Sequence, residues 1–410
     1  MNNALPLQLH CVSFSIPLVG TKPRINIIDM NFTHFLNSPV VTAVVALMVL
    51  SFVFLMLYYG LVWFRTGRRR KTAVEDSPID DRHLPAVSVI MSAHNDAEWL
   101  RENLVYLLEQ DYPNFEVVVV DYVSHDDSQF VLQLCSENYS HLKVVPFKED
   151  VNMFHGKKYP LSIGIKSAKN DILIFAEPDS VPKDFGWIRE VVKGYDSNDK
   201  QLVLGYCGVK QENSLLNWLQ VYDNLMYNVS FLSAALSGHP YTGSGKNLSY
   251  RRSFFFNQGA FISHYNIPWG ADDMFVNQNA TPKNTSVVLT PASYVQFESQ
   301  KRFGLWHRVR RHRTATRRYY RPVQKLRLLF HPASLFLFYA TAVALLVTNL
   351  FPWQIILGML AAKFAWQIIS VYQLVSKFGV KNIHWVSPIF EFYFLFANTI
   401  LFFTPLSNKK

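Results

Sequence analysis

The longest hydrophobic runs of the chain lie towards its two ends. Val40–Phe64 is an uncharged stretch of 25 residues, long enough to cross a bilayer core of about 30 Å. Three more apolar runs follow at about 328–351, 353–375 and 385–406. The pattern predicts one N-terminal and about three C-terminal transmembrane helices.

Two charged residues interrupt the C-terminal runs. Lys363 lies in the middle of the second run, and Glu391 lies near the start of the third. Charges inside a span are usually paired or functional, so one interpretation is an ion pair between Lys363 and Glu391. The alternative is that Glu391 lies at the membrane interface while Lys363 extends its ammonium group towards the headgroups.

Short apolar runs mark the region between the predicted spans. They occur at Val87–Met91, Val117–Val120, "LKVVPF" and "DILIFAEPD", and stretches of helical period separate them. Strands that alternate with helices predict an α/β fold, a mostly parallel sheet with helices on both faces. The predicted organisation is a segment 1–39 (with Met30 as an alternative start), a span 40–64, a basic linker 65–83, an α/β domain 84–300, a basic segment 301–327 and C-terminal spans 328–406.

Polar side chains follow the predicted strands at the points where the strands end. In "NDILIFAEPDSVP", five apolar residues run directly into Glu177 and Asp179, and His94, Asn95 and Asp121 also fall at strand ends. Ligands of parallel sheets bind beyond the carboxyl ends of the strands. These residues therefore predict a binding crevice, in which Asp121 could accept hydrogen bonds from a ribose or a base. The simpler interpretation of an acidic pair at a strand end is a turn or a helix cap.

Positive charge is concentrated next to the predicted spans. The net charge is +10, and the segment 301–327 holds eleven Lys or Arg and no Asp or Glu. The cluster "RTGRRRK" directly follows the first span, and basic flanks indicate the cytoplasmic side. Trp306, Tyr319 and Tyr320 lie among the later cations, as is typical of an interfacial helix on anionic lipids. Nucleic acid could also attract such a band, but the predicted spans argue against it.

Acidic strand ends near a polyanionic ligand require a cation. The sequence contains no Walker loop and no G-x-G-x-x-G, so no glycine-rich phosphate cradle is predicted. Carboxylates suit Mg²⁺ or Mn²⁺, and either ion can also bind phosphate oxygens. This favours a nucleotide diphosphate held through a divalent cation, with the diphosphate as leaving group. The three cysteines are widely spaced and predict neither a zinc site nor a disulfide framework.

Six motifs in order resemble those of family 2 glycosyltransferases with a GT-A fold. They are "VIMSAHNDAEWL", "VVVDYVSHDDS", Glu177-Pro178-Asp179, "YTGSGKNLSYRRSFF", "WGADDMFVNQNA" and the later Arg308-x-x-Arg311-His312. The resemblance covers about residues 85–320, and it is strongest to membrane-anchored, Bacteroidetes-type members.

The resemblance implies a role for each matching residue. Ala93, His94 and Asn95 would lie near the nucleotide base, and Asp121 would bind that base. Asp179 would coordinate the metal, with Glu177 beside it. The segment 243–247 would line the donor-sugar and acceptor pocket. The corresponding site residues are Gly245 and Asn247 for the sugar nucleotide, Arg308 and Arg311 for the diphosphate, and Asp272 or Asp273 as general base.

Several positions depart from the family pattern. Tyr122 replaces the second Asp of its motif, and Glu177 replaces the first Asp of D-x-D. Aligning Met274 on the usual leucine places Ala271 where the general base is expected, so the base shifts to Asp272, with Asp273 as the competitor. A hydroxyl acceptor needs such a carboxylate to take its proton in the transition state.

Together these patterns lead to one expected function and one alternative. The expected function is a membrane-bound inverting glycosyltransferase, using a UDP- or GDP-sugar and a lipid-linked or growing glycan acceptor. It would lie in the cell inner membrane as a multi-pass protein with a cytoplasmic catalytic domain. The alternative, suggested by Ala271 and Tyr122, is a catalytically inactive binding or scaffold subunit of a glycan-synthesis complex.

Overall fold

The structure, a computed structural model, describes residues 38–70, 84–147, 156–267 and 269–403. Nearly all of the predicted N-terminal segment and residues 71–83 of the basic linker lie outside the described residues. Two sheets form the centre of the α/β domain. Their strands are β1 Val87–Ala93, β2 Phe115–Tyr122, β3 Leu142–Phe147, β4 Ile172–Ala176, β5 Ser180–Pro182, β6 Leu202–Leu204, β7 Cys207–Val209, β8 Leu248–Arg251, β9 Thr285–Val287 and β10 Val295–Phe297.

The larger sheet has the strand order β3-β2-β1-β4-β8-β6-β9. Strands β1, β2, β3 and β4 are parallel, β8 runs antiparallel to both of its neighbours, and β6 and β9 are parallel. The smaller sheet has the order β5-β10-β7. The predicted fold class is therefore confirmed, and β8 accounts for the departure from a fully parallel sheet.

Helices of the α/β domain cover both faces of the larger sheet. On one face Ile90 and Val118 pack with Ile165, and on the other Val89 packs with Leu100. Neighbouring residues of a strand point to opposite faces, so two buried faces require a continuous apolar run such as that of β2. The helices are α2 Ala97–Leu108, α3 Ser128–Asn138, α4 Lys158–Ser167, α5 Trp187–Val192, α6 Leu215–Leu236, α7 Arg252–Asn257, α8 Asp273–Asn279 and α9 Phe303–Ala315.

Three helices among the described residues are long and apolar enough to cross a membrane. They are Pro39–Gly67, Pro322–Thr348 and Trp353–Phe378. The first comprises α1, Pro39–Tyr58, a π-helical stretch Tyr59–Phe64 and a last turn; the others are α10 and α11. The predicted run at 385–406 forms α12, Ile383–Phe403, and its spanning role stays a prediction.

Of the two interpretations that the sequence leaves open for Lys363 and Glu391, the structure shows the ion pair. The Lys363 ammonium group contacts the Glu391 carboxylate directly, so α11 is joined to α12. Tyr59 of the first helix donates a hydrogen bond of 2.7 Å to the other oxygen of Glu391. The interpretation in which each charge reaches an interface separately is therefore wrong, because the two side chains are 0% and 5% exposed.

The basic segment 301–327 packs against the rest of the protein. It forms α9, a turn at Thr316–Tyr319 and the beginning of α10. Trp306 and Tyr320, expected among interfacial cations, are both buried. Trp306 packs edge-on to Phe394 of α12 at 6.1 Å between ring centroids. One hydrophobic cluster thus joins this segment, the C-terminal helices and one face of the sheet.

Candidate active site

The ends of β1 and β2 form an interlocked pair of turns. Asn95 adopts a left-handed backbone conformation, with φ 55°. Its side-chain oxygen accepts a hydrogen bond of 2.8 Å from the His125 amide, and its own amide donates to Ser124. The His94 ring lies 2.7 Å from the carbonyl oxygen of Tyr122. The turn thus fixes two exposed polar side chains, His94 and Asn95, beside the end of β2.

Asp121 lies buried at the end of β2, in register with Ala93 of β1. One of its carboxylate oxygens, Oδ1, is buried and has no hydrogen-bond partner within the described part of the chain. A buried carboxylate oxygen without a partner is costly. A ligand hydroxyl or base N–H could satisfy it, which fits the role that the resemblance implies.

The two acids that follow β4 are bound to lysines. The Lys246 ammonium group lies 2.6 Å from a Glu177 oxygen and also contacts Asp179. Lys157 lies 2.6 Å from the other Glu177 oxygen. We call these four residues the strand-tip cluster. Lys246 also lies 4.8 Å from the ring centroid of Phe297.

The strand-tip cluster favours the ionised forms of Glu177 and Lys246. Burial alone would raise the pKa of Glu177, but the ammonium groups of Lys157 and Lys246 hold it well below its usual value. Burial would also lower the pKa of Lys246, whereas the Asp179 and Glu177 carboxylates raise it well above its usual value. Glu177 and Lys246 are therefore both charged throughout the neutral pH range.

A small cavity of about 50 Å³ adjoins the strand-tip cluster. Its polar lining includes Glu177, Lys157, Gly245 and Asp272, and Ala271 also borders it. The segments after β4, before β8 and before α8 therefore converge at one place. The lining residues are Ser92, Lys157, Leu161, Phe175, Ala176, Glu177, Gly245, Leu248, Tyr250, Ala271 and Asp272.

Asp272 and Asp273 are adjacent in sequence but point to different surroundings. The Gly245 amide donates a 2.7 Å hydrogen bond to Asp272. Asp273 is buried and accepts hydrogen bonds from Tyr320, at 2.8 Å, and from Thr316. Asp273 therefore ties α8 to the segment before α10, while Asp272 lines the cavity.

The pKa of Asp272 is raised to about 6. Burial is the main cause, and the charge of Asp273 adds to it, while the hydrogen bond from Gly245 opposes the rise. A carboxylate with a pKa near the working pH is well suited to accept a proton in a transition state. The geometry thus favours Asp272 over Asp273 as the candidate base.

Two further lysines were not singled out by sequence reasoning. Lys157 belongs to the strand-tip cluster, and Lys158 is buried with its ammonium group at 2.8 Å from the carbonyl oxygens of His264 and Trp269. Burial lowers the pKa of Lys158 to about 8, although the Asp273 and Asp272 carboxylates counteract it. Lys158 thereby holds the loop that leads into Asp272. The "GKK" sequence preceding α4 was the available signal.

Other predicted site residues lie outside this cavity. Asn247 is buried, donates to the carbonyl oxygens of Tyr206 and Ser293, and accepts from Trp187. Its amide therefore fixes the loop that carries Gly245. Arg308 is exposed on α9 and Arg311 is half-buried there, and neither lines the cavity. Their nucleotide-sugar and catalytic roles stay predictions.

The oxygen donors suited to a divalent cation are present at the strand-tip cluster. Glu177 and Asp179 offer hard carboxylate oxygens of the type that Mg²⁺ and Mn²⁺ prefer, but Lys246 binds both acids. Among the described residues no group of three or more His, Cys, Asp or Glu could hold a metal ion. The chemistry of the donors fits a cation only if Lys246 exchanges with it.

Comparison with known proteins identifies the domain type. The family described as "Glycosyl transferase family 2" matches residues 88–256. Residues 88–256 are thus similar to family 2 glycosyltransferases. The matched range carries both interlocked turns and the whole strand-tip cluster, and it ends before Asp272.

Similar proteins agree with this domain type. The chain is 28% identical over 140 residues to "Probable glycosyltransferase YdaM" of Bacillus subtilis, covering 33% of each protein. It is 29% identical over 124 residues to "Glycosyltransferase AglE" of Haloferax volcanii, covering 30% of this chain and 39% of the relative. The chain therefore spans only about a third of the length of the curated relatives that it matches.

A solved structure supports the fold. The mannosyltransferase PcManGT from Pyrobaculum calidifontis, solved in complex with GDP-Man and Mn²⁺, superposes with a TM-score of 0.56 at 20% identity. The match covers 82% of this chain and 96% of PcManGT. At this identity the likeness establishes a GT-A-like fold.

Proposed function

We propose that the protein is a membrane-bound inverting glycosyltransferase that moves a sugar from a UDP- or GDP-sugar to a glycan acceptor. The observation that carries this proposal is the cavity-lining Asp272, whose pKa of about 6 leaves it ionised at neutral pH. Asp272 would take the proton of an acceptor hydroxyl as its oxygen attacks the anomeric carbon and the bond to the diphosphate breaks. A single displacement of this kind inverts the configuration.

Binding of the donor would use the strand tips. Asp121, with its unpartnered buried oxygen, would hold the base or ribose, and His94 and Asn95 would line the same turn. A divalent cation, Mg²⁺ or Mn²⁺, would be held by Asp179 and would supply positive charge to the leaving diphosphate. Lys157 and Lys246 bring further positive charge to this side of the cavity. Arg308 and Arg311 would reach the diphosphate only if α9 moves towards the cavity.

The membrane setting is part of the proposal. Three candidate spanning helices support membrane attachment, and the basic segments beside them support a cytoplasmic catalytic domain, hence an inner-membrane location. The acceptor would then be a lipid-linked or growing glycan. The exposed Arg302 at the start of the basic segment would face anionic lipids.

The test is a nucleotide-sugar panel with the full chain in lipid, with Mg²⁺ and with Mn²⁺. GDP-mannose is a rational first donor because PcManGT was solved with it. Release of nucleoside diphosphate together with sugar transfer supports the proposal. Tight nucleotide binding without transfer to any acceptor would instead support the inactive scaffold role, for which Ala271 at the expected base position is the specific observation.

A further inference from the structure

A second, much larger cavity lies where the α/β domain meets the candidate membrane helices. Its volume is about 510 Å³, within the usual range for ligand pockets of about 300–1,000 Å³. Helices α6 and α9 provide one wall, and α1 with its π-helical extension, α10 and α12 provide the other. We call it the junction pocket.

Arginines dominate the charge of the junction pocket. Arg310, Arg313, Arg317 and Arg327 line it, against the acids Asp223 and Glu391. Glu391 is already paired with Lys363, and Asp223 with Arg310 and Arg313. The pocket therefore carries an excess of positive charge.

Two of these arginines are available to a ligand. Within the described part of the chain, neither Arg317 nor Arg327 forms an ion pair. Arg310 and Arg313, by contrast, are fixed by Asp223, and Arg310 also donates to Asn398 at 2.5 Å. Planar guanidinium groups bind phosphate oxygens with paired hydrogen bonds.

The candidate membrane helices also contribute apolar side chains to the lining of the junction pocket, beside polar ones such as Arg327 and Glu391. Val62, Trp63, Leu328, Leu335 and Leu395 line it, and all five belong to helices at the predicted membrane region. A phosphate group that carries a hydrocarbon chain can bind the arginines through its oxygens and pack its chain against these apolar side chains. A free nucleotide has no hydrocarbon chain and would leave these apolar side chains without a packing partner.

Tyr227 lines the junction pocket and contacts the loop that precedes β8. The Tyr227 ring lies 4.3 Å from the Arg313 guanidinium carbon, and its hydroxyl donates at 3.4 Å to the carbonyl oxygen of Gly243. Burial raises the pKa of Tyr227 well above its usual value, and the Asp272 carboxylate adds to the rise. Tyr227 therefore joins the wall of the junction pocket to the loop whose Gly245 amide binds Asp272.

We propose that the junction pocket binds the phosphate-bearing headgroup of a membrane lipid and thereby anchors a lipid-linked acceptor. The role as acceptor anchor rests on the function proposed above, whereas lipid binding itself does not. Phosphate is the recognised group, and the hydrocarbon chain distinguishes a lipid from free phosphate.

The experiment compares three probes with the full chain in an uncharged detergent. They are lysophosphatidic acid, the matching monoacylglycerol without phosphate, and inorganic phosphate. The test variants are Arg317→Ala and Arg327→Ala. The matched controls are Arg318→Ala and Lys325→Ala, which remove a charge from neighbouring positions outside the pocket.

We expect the wild type to prefer lysophosphatidic acid over both other probes. Each test variant should bind it at least about tenfold more weakly, as expected for the loss of a charge-assisted contact, while the controls keep wild-type affinity. Equal loss in all four variants, no loss in any, or equal binding of either other probe would overturn the proposal. UDP and GDP binding, measured in parallel, separates the two proposals: its absence contradicts the proposed function alone.

Discussion

Two lysine–carboxylate clusters of this protein differ in how strongly they are enclosed. In the strand-tip cluster, the side chains of Lys246, Glu177 and Asp179 are 16%, 26% and 26% exposed. In the cluster between the C-terminal helices, which we call the helix-pair cluster, Lys363 and Glu391 are 0% and 5% exposed. At an accessible site, a ligand or an ion can replace one partner of an ion pair. At an enclosed site, neither a ligand nor solvent can reach the pair to replace a partner.

The surroundings of the two clusters extend this difference. Lys363 also donates to Gln367 at 2.7 Å and to Tyr339 at 3.1 Å, so protein groups surround it. The strand-tip cluster instead borders a cavity that also contains Asp272. We therefore propose that the helix-pair cluster stabilises the protein and that the strand-tip cluster contributes to ligand binding.

Breaking the helix-pair cluster should have the largest effect. Glu391→Leu leaves the Lys363 ammonium group buried without its carboxylate, and removing one partner of a buried ion pair costs about 3–5 kcal/mol. We expect a large drop in the melting temperature of the purified protein in detergent.

The double variant Lys363→Met/Glu391→Leu serves as the control. It removes both charges, so most of the lost stability should return. If Glu391→Leu melts at the wild-type temperature, the pair does not stabilise the protein and the proposed contrast with the strand-tip cluster fails.

Asp272→Asn tests the chemistry of the cavity beside the strand-tip cluster. The change keeps the size of the side chain and removes its basicity, so turnover should fall by about 10²-fold or more with nucleotide affinity intact. Because the base must be ionised and its pKa is about 6, wild-type turnover should decline as the pH falls through about 6. A pH–rate profile of wild type and variant measures both effects.

Asp273→Asn is the matched control for Asp272→Asn. Asp273 holds Thr316 and Tyr320, so this variant should lose stability while each folded molecule retains more turnover than Asp272→Asn. A larger loss of turnover in Asp273→Asn than in Asp272→Asn would reverse the assignment of the base.

Sequence reasoning predicted those features that depend on local pattern. Continuous apolar runs predicted strands β1 to β4 and the three candidate spanning helices. Charges inside apolar runs are usually paired or functional, which made the Lys363–Glu391 pair one of two alternatives. Sequence reasoning left Asp272 and Asp273 as competing candidates for the general base. The choice between them depends on the direction in which the chain enters α8.

The contacts that sequence reasoning missed join distant parts of the chain. Lys246 meets Asp179 across 67 positions, and Lys158 reaches Trp269 across 111. Neither separation follows a helical or strand period. Such pairs can be predicted only when the order of the strands in the sheet is known. Here β8, which begins two residues after Lys246, pairs with β4, and this brings Lys246 to the acids that follow β4.

Lys246→Met tests whether the strand-tip cluster exchanges its cation. Without the ammonium group, Glu177 and Asp179 would repel a diphosphate unless a divalent ion replaces the lost charge. We expect nucleoside diphosphate affinity without metal to fall by about tenfold, and added Mn²⁺ to restore more affinity than it adds to the wild type. Calorimetry with UDP and GDP, with and without Mn²⁺, measures this.

Lys166→Met is the control for that measurement, because Lys166 is an exposed lysine of α4 outside the cluster. It should behave as the wild type. An identical response to Mn²⁺ in Lys246→Met and wild type would show that Lys246 does not compete with a metal ion.

Tyr320→Phe should have the smallest effect on stability and turnover of all these variants. The Tyr320 hydroxyl donates a 2.8 Å hydrogen bond to buried Asp273, and Thr316 and the Met274 amide also donate to that carboxylate. Since two donors remain, the cost should be near that of a single hydrogen bond, about 1 kcal/mol, measured by thermal unfolding. Turnover should be unchanged because Asp272 keeps its hydrogen bond from Gly245. A loss of stability as large as that of Glu391→Leu would mean that Asp273, like the helix-pair cluster, tolerates no missing partner.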